Sequence, residues 1–249
     1  MSTSWNGAGG LELVTDPASV DAAAELGRGI SLLRDVADGK RPPTLRLYRP
    51  SPTVAFGQRD ARLPGFVDAG RAAADSGFAP LVRRAGGRAA AYHRGCLVID
   101  HIEPAPDAVA GTHLRFAAFG NFFADVLAAV GIDAHVGEVP GEYCPGEFSV
   151  HGRRNGVPAI KLVGTAQRVI AGAWLFSSVV VVEDSRPLRS VLTDVYAALG
   201  LGWEPATAGA AEDLVPGVTV DAVQDALLAA YAAVLDLHAA PAEVASRPS

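Results

Sequence analysis

The stretch Phe148-Ser-Val-His-Gly-Arg-Arg-Asn-Gly-Val-Pro-Ala-Ile-Lys-Leu-Val-Gly-Thr-Ala-Gln-Arg-Val-Ile-Ala-Gly-Ala-Trp-Leu-Phe-Ser-Ser-Val-Val-Val-Val182 decides the fold. Its apolar and β-branched residues at Ile160, Val163 and Val179–Val182 suit a pleated surface, so strands dominate across it. Upstream, Leu45-Arg-Leu-Tyr48 alternates like a half-buried strand, Arg49-Pro-Ser-Pro52 turns, and Thr53-Val-Ala-Phe56 forms a second strand ended by Gly57. Pro80–Arg84, Ala89–Tyr92 and Cys96–Asp100 read as three more, the last two joined by a turn at Arg94–Gly95.

Helices lie around these strands. Asp16-Pro-Ala-Ser19 offers helix-start chemistry, followed at helical spacing by Ala23, Leu26, Ile30, Leu33 and Ala37, and closed by Gly39 and Pro42–Pro43. Phe66–Gly77, Thr112–Val130, Leu188–Leu199 and Val220–Leu237 are the other helical segments, and Val220, Val223, Leu227, Tyr231 and Leu235 share one face of the last. Helices and strands mix without a regular βαβ series, which points to α+β: a mixed β-sheet flanked by helices. No repeat or linker divides the chain. One domain is expected over 1–249, with its core at about 17–238 and loose ends at the first ten or so residues and at Ala240–Ser249.

Hydrophobic residues make up 49% and charged residues 19% of 249, a globular composition. A net charge of −6 argues against nucleic acid as the main partner, because phosphate binding needs a basic surface. The two cysteines, Cys96 and Cys144, imply neither a disulfide framework nor a metal-binding cluster, and fit a reducing compartment. Met1–Gly10 lacks the pattern of a signal peptide, and no apolar run is long enough to span a bilayer. A cytoplasmic protein with no membrane partner is expected.

Three stretches carry chemistry. In Arg83-Arg-Ala-Gly-Gly-Arg-Ala-Ala-Ala-Tyr-His93, glycines allow close backbone approach to a bound group and arginines supply donors for an anion. The same pattern equally describes a tight turn with solvated arginines. Lys161-Leu-Val-Gly-Thr-Ala-Gln-Arg168 holds one of only two lysines, the other being Lys40. A lysine facing a cleft polarises a carbonyl and stabilises the charge that develops in acyl transfer. In Gly141-Glu-Tyr-Cys-Pro-Gly-Glu-Phe-Ser149, Cys144 sits among glycines and prolines, where an exposed thiol can accept an acyl group, although a lone cysteine is more often a packed filler. Cys96 lies in an apolar strand and reads as packing. His93 and His151 follow the first and third stretches as candidate bases or hydrogen-bonding residues.

In this order the stretches resemble the lipoate–protein ligase A and octanoyltransferase family. Its members carry an Arg-Arg-x-(Ser/Thr)-Gly-Gly-rich turn ending in histidine, here Arg83 to His93, and a Lys-x-x-Gly-(Ser/Thr)-Ala-(Gln/Tyr)-Arg motif, here Lys161 to Arg168. Leu45–Gln58 is also similar, and the resemblance runs from about Leu45 to Asp184. It implies an α+β fold shared with biotin–protein ligases and class II synthetase cores. It implies a catalytic Lys161 beside the acyl carbonyl, and substrate binding by Arg83, Arg84, Gly86, Gly87, Arg88, His93, Gly164, Thr165 and Ala166.

The activity so implied attaches a lipoyl or octanoyl group to a lysine of a lipoyl carrier domain, from a 2-oxoacid dehydrogenase or the glycine cleavage H protein. A ligase would use ATP and Mg2+. The alternative is an octanoyltransferase that takes the chain from acyl carrier protein through a Cys144 thioester and needs no cofactor. A third reading is a member that binds an acyl ligand without turnover. Two departures bear on the choice: Ala85-Gly-Gly-Arg-Ala89 stands where many ligases have Ser-Gly-Gly-Gly-Ala, and Trp174-Leu-Phe-Ser-Ser178 stands where a His-Gly-Ser is usual.

Overall fold

The computed structural model describes residues 10–17, 21–154 and 156–240. In chain order the strands are β1 (Leu11–Thr15), β2 (Thr44–Tyr48), β3 (Thr53–Phe56), β4 (Ala79–Val82), β5 (Ala90–Tyr92), β6 (Cys96–Pro104), β7 (Asp133–Val136), β8 (Val150–Arg154), β9 (Val157–Ile170), β10 (Ala173–Val181) and β11 (Leu237–Ala239). The helices are α1 (Ala22–Ala37), α2 (Phe66–Asp75), α3 (Thr112–Ala129), α4 (Ser185–Leu199), α5 (Ala211–Leu214) and α6 (Val220–Ala232).

The strand-rich stretch builds the middle of the molecule. β9 and β10 form a hairpin whose turn, Ala171–Gly172, places Gly172 at φ +86°, a conformation that glycine takes without steric cost. β10 also pairs along its whole length with β6. Extension on both sides yields an eight-stranded sheet in the order β11-β1-β2-β6-β10-β9-β8-β7, parallel at β11-β1-β2 and antiparallel elsewhere. The fold is the expected α+β arrangement with a mixed sheet.

Helices α3 and α6 cover one face. Their side chains meet Leu45, Leu47, Leu97, Ile99, Trp174 and Phe176 in the largest core, where the Phe119 and Phe176 rings stack at 4.2 Å. On the other face α1 packs Leu32, Leu33 and Val36 on Ile102 and Leu175. A three-stranded sheet, β4-β3-β5, joins α2 and α4 over the Cys96–Val181 end of the same face. Between α1 and the small sheet this face stays open, and a cleft of about 1370 Å³ results.

Four features differ from the sequence expectation. β2 is buried at all five positions instead of alternating, because both faces of the sheet are covered there. Its Arg46, with no exposed surface, is matched by Asp16 at 2.6 Å and Asp100 at 2.9 Å and lies 3.9 Å over the Tyr48 ring. The N-cap of α1 is Asp21, whose carboxylate accepts the Ala24 N–H; Ala18 and Ser19 lie outside the described residues. The expected turn at Arg94–Gly95 does join β5 to β6, but the two strands belong to different sheets, and the chain crosses between them at His93–Gly95. Finally, α6 ends at Ala232, and Leu237 enters β11, where the edge of β1 satisfies its backbone. Short β1, β7 and β11 escape sequence reading because their neighbours in the sheet, not their own patterns, define them. Apart from Gly10 and Ala240, the expected loose ends fall outside the described residues.

Candidate active site

The floor of the cleft is one face of β6, β10 and β9. Their register aligns Val98 with Val179 and Gly164 in one row, and Asp100 with Ser177 and Ala166 in the next. Small side chains on β9 keep this floor low. One wall is α1, whose Leu26 and Ile30 face the cleft while Ala22, Leu32 and Val36 face the sheet; the apolar stripe read from sequence is thus shared between cleft and core. Gly29 permits the approach of α1, since a Cβ there would lie 2.8 Å from Asp100 Oδ2.

The opposite wall is the glycine turn after β4. It rests on Gly57, where a Cβ would collide with the Gly87 carbonyl, and Gly87 has φ +97°. Arg83 holds the turn from inside: Nε donates to the Gly86 carbonyl at 2.9 Å, Nη2 to the Arg88 carbonyl at 2.7 Å and Nη1 to the Ala55 carbonyl at 3.3 Å. Arg88 pairs with the fully buried Asp60 at 3.1 Å. Arg84 is exposed and lines the cleft. Of the three arginines, then, Arg84 is the one whose guanidinium is left to a ligand; Arg83 and Arg88 are engaged in building the turn.

The loop between β7 and β8 brings Cys144 onto this turn. The Arg88 N–H donates to Cys144 Sγ at 3.1 Å, and Arg83 Nη2 lies 3.7 Å from the sulfur. Cys144 has φ +44°, a left-handed conformation that costs a side-chain-bearing residue about 1–2 kcal/mol. Its backbone is fixed from two directions. The Cys144 N–H donates to Tyr196 Oη at 2.8 Å, and that hydroxyl donates to the Ala89 carbonyl at 3.0 Å. The Cys144 carbonyl accepts from Lys161 Nζ at 2.8 Å.

Lys161 is buried, with 2% of its side chain exposed. Nζ also donates to the Tyr143 carbonyl at 3.1 Å and to Glu142 Oε1 at 3.3 Å, so each of its three N–H groups has an acceptor. Glu142 organises the loop: its carboxylate takes the Ser149 hydroxyl at 2.6 Å and the Gly146 N–H at 3.0 Å as well as Lys161. Lysine, glutamate and cysteine thus form one hydrogen-bonded unit at the cleft wall.

The structure brings Lys161, Cys144, Arg83, Arg84, Gly86, Gly87, Gly164, Thr165 and Ala166 to the cleft. It does not bring His93 or the Arg88 side chain there. The Nδ1 of His93 accepts the Gly95 N–H at 2.9 Å and Nε2 meets the Asp184 carbonyl at 2.9 Å, which ties down the crossing from β5 to β6. His151 is turned away too, its Nδ1 toward the Gly137 carbonyl, and burial lowers its pKa. Cys96 is buried in the core, and its thiol is pushed up to about 12 by that burial. Sequence reading missed Glu142 and Tyr196. Two positions before the cysteine, an acid on a glycine-rich loop is an available signal for Glu142. No local signal exists for Tyr196, which arrives from α4.

An open cleft of about 1370 Å³, with a lysine and a cysteine held together in its wall, has the groups that acyl transfer requires. The chain matches the lipoyl protein ligase A/B catalytic domain over residues 21–232 and belongs to that family. The octanoyl-[GcvH]:protein N-octanoyltransferase of an Exiguobacterium species is 30% identical over 205 residues, covering 77% of this chain and 69% of that protein. The lipoyl-[GcvH]:protein N-lipoyltransferase of Listeria monocytogenes is 25% identical over 76% of this chain and 67% of its own. Among solved structures, lipoate-protein ligase A bound with ATP superposes with a TM-score of 0.66 at 20% identity, covering 93% of this chain and 88% of that one. The bipartite lipoate protein ligase of Thermoplasma acidophilum, solved in a study with its E2 lipoyl domain, gives 0.61 at 20% identity, covering 93% and 86%. These two likenesses show the shared fold.

Proposed function

We propose that this protein transfers an octanoyl or lipoyl group to a lysine of a lipoyl carrier domain through a thioester on Cys144. The observation that carries the reading is the seat of the sulfur: Cys144 Sγ lies in the glycine turn, 3.1 Å from the Arg88 N–H, within the cleft wall. The names of the similar transferases support the same chemistry.

Cys144 as thiolate attacks the donor's acyl carbonyl. The tetrahedral oxyanion collapses, the donor leaves with the proton that the Cys144 thiol gave up, and the chain remains on sulfur. A deprotonated carrier lysine then attacks the thioester; the C–S bond breaks as the amide forms, and the proton shed by the amine returns to the departing Cys144 sulfur. The Arg88 N–H and Arg83 guanidinium bear the charge on sulfur when it attacks and leaves. Lys161 holds the loop in place through the Tyr143 and Cys144 carbonyls. By transferring one of these N–H bonds to the acyl oxygen, it also steadies the developing oxyanion. Arg84 and the floor of Gly164 and Ala166 border the acyl chain.

ATP fits this turn poorly. The Arg88 amide is bonded to Cys144, and the space inside Gly87 is occupied by the Arg83 guanidinium and that sulfur, so neither is open to a phosphate. The ligase reading, with ATP and Mg2+, is therefore second to the transferase reading. The donor is an octanoyl group on a carrier, whether acyl carrier protein or an H-type lipoyl protein. The whole chain works as one domain in a reducing cytoplasm, where Cys144 stays free; among the described residues no helix is long and apolar enough to cross a membrane.

Octanoyl-carrier protein mixed with the purified protein should add one octanoyl mass to the intact chain, mapped to Cys144. Cys144→Ser should abolish transfer to a lipoyl domain. Undiminished ATP-dependent lipoylation by that variant would restore the ligase reading, and neither adduct nor transfer would leave a non-catalytic binding protein.

A further inference from the structure

β9 is paired unequally along its two edges. β10 follows it from Val163 to Ile170, whereas β8 pairs with it only from Val157 to Val163. The cause is the cysteine loop: upstream of Val150 the chain must leave the sheet to carry Cys144 to the glycine turn, so nothing continues alongside Gly164–Ile170. The two-residue turn makes Ile170–Ala173 a hydrogen-bonded pair, and the alternation of an antiparallel ladder then sets the rest. Gly164, Ala166 and Arg168 bond to β10; Thr165, Gln167 and Val169 direct their N–H and C=O outward. Among the described residues no backbone group pairs with these three.

An unpaired strand edge recruits another strand, and natural proteins commonly blunt or cover it. This one has no partner strand over seven residues, about 20 Å, and begins three residues after Lys161. Two of the largest exposed apolar side chains, Val109 (72% exposed) and Leu114 (66%), flank α3's first turn, whose Thr112 opens on the same cleft. Arg34, Arg84 and Arg168 line the cleft with no acid partner among the described residues, although the chain as a whole is acidic.

We propose that the outward edge of β9 at Thr165–Val169 is the docking strand for the acceptor. An extended segment of a carrier domain, bearing the target lysine beside acidic residues, adds to the sheet there by main-chain hydrogen bonds. This mode of recognition takes affinity from the backbone and specificity from alternate side chains. Because β9 runs directly from Lys161 into the free edge, a strand added to it delivers every second side chain toward the Cys144 loop. The acidic neighbours of the lysine would meet Arg168 and Arg84. The proposal rests on the acyl-transfer reading and specifies how that site takes its protein substrate.

Hydrogen exchange on the wild-type protein, with an H-type lipoyl domain as the probe, tests it. Excess domain should slow exchange of the Thr165, Gln167 and Val169 amides at least tenfold and leave Gly164, Ala166 and Arg168 unchanged. Gln167→Pro, which removes an outward N–H and no bond to β10, should raise KM for the domain more than tenfold. Loading of Cys144 from a small octanoyl thioester should stay at the wild-type rate. A domain that is acylated while the three amides exchange as before overturns the proposal. If the wild-type protein neither loads Cys144 nor acylates any lipoyl domain, the acyl-transfer reading itself has failed and the docking strand falls with it.

Discussion

Replacing Lys161 with alanine would leave Glu142, a carboxylate with no exposed side-chain surface, without its ammonium partner. Removing one member of a buried ion pair costs about 3–5 kcal/mol, so Lys161→Ala should unfold at markedly lower urea concentration as well as lose transfer activity. This outcome differs from that for a solvent-reachable lysine, for which folding would be unaffected. The double variant Lys161→Met, Glu142→Gln should regain much of the stability and none of the activity. Equal stability of Lys161→Ala and wild type would show that the pair does not hold the loop. The lysine itself was legible in the sequence, one of two in the chain and followed by small residues. Its burial was not, because the loop that covers it belongs to a separate segment.

At the scale of elements, the two glycines of the turn have different tasks. Gly87 has φ +97°, and a Cβ there would lie 2.4 Å from Arg83 Nη2 and 2.8 Å from Cys144 Sγ. Gly86 faces open space. Gly87→Ala should therefore push the sulfur off its seat, lowering the rate of Cys144 acylation more than tenfold together with the melting temperature. Gly86→Ala should shift stability within about 0.5 kcal/mol, as is usual for exposed sites, and keep its activity. Similar losses in both variants, measured by intact mass after a brief pulse of octanoyl thioester, would contradict this division. The glycine pair was evident in sequence as a turn. Which of the two receives the thiol depends on the cysteine loop, whose Cys144 lies 56 residues beyond Arg88.

Across the whole molecule, Arg46 joins segments far apart in the chain: Asp16 beneath α1 and Asp100 in the cleft floor. Arg46→Ala should cost about 3–5 kcal/mol, since Asp100 would remain buried with its charge unmatched. Thermal unfolding followed by circular dichroism would read the loss, and Arg46→Ala with Asp100→Asn should restore part of it. A change below 1 kcal/mol would mean that water reaches Asp100 once Arg46 is gone.

The amino-acid sequence by itself determined the α+β class, the strand-rich centre at Phe148–Val182, the glycine turn and the lysine motif. These depend on residue types within a few positions of one another, where β-branched patterning, glycine freedom and helical spacing act directly. Only the tertiary structure decided that Cys144 lands on the Gly87–Arg88 turn, that Glu142 and Tyr196 fix it, that His93 is withdrawn from the cleft, and that β9 keeps one edge free. Each of these follows from which face of a strand is covered and where a neighbouring strand departs. Contacts between segments separated by tens of residues set those outcomes, and no local pattern in the chain encodes them.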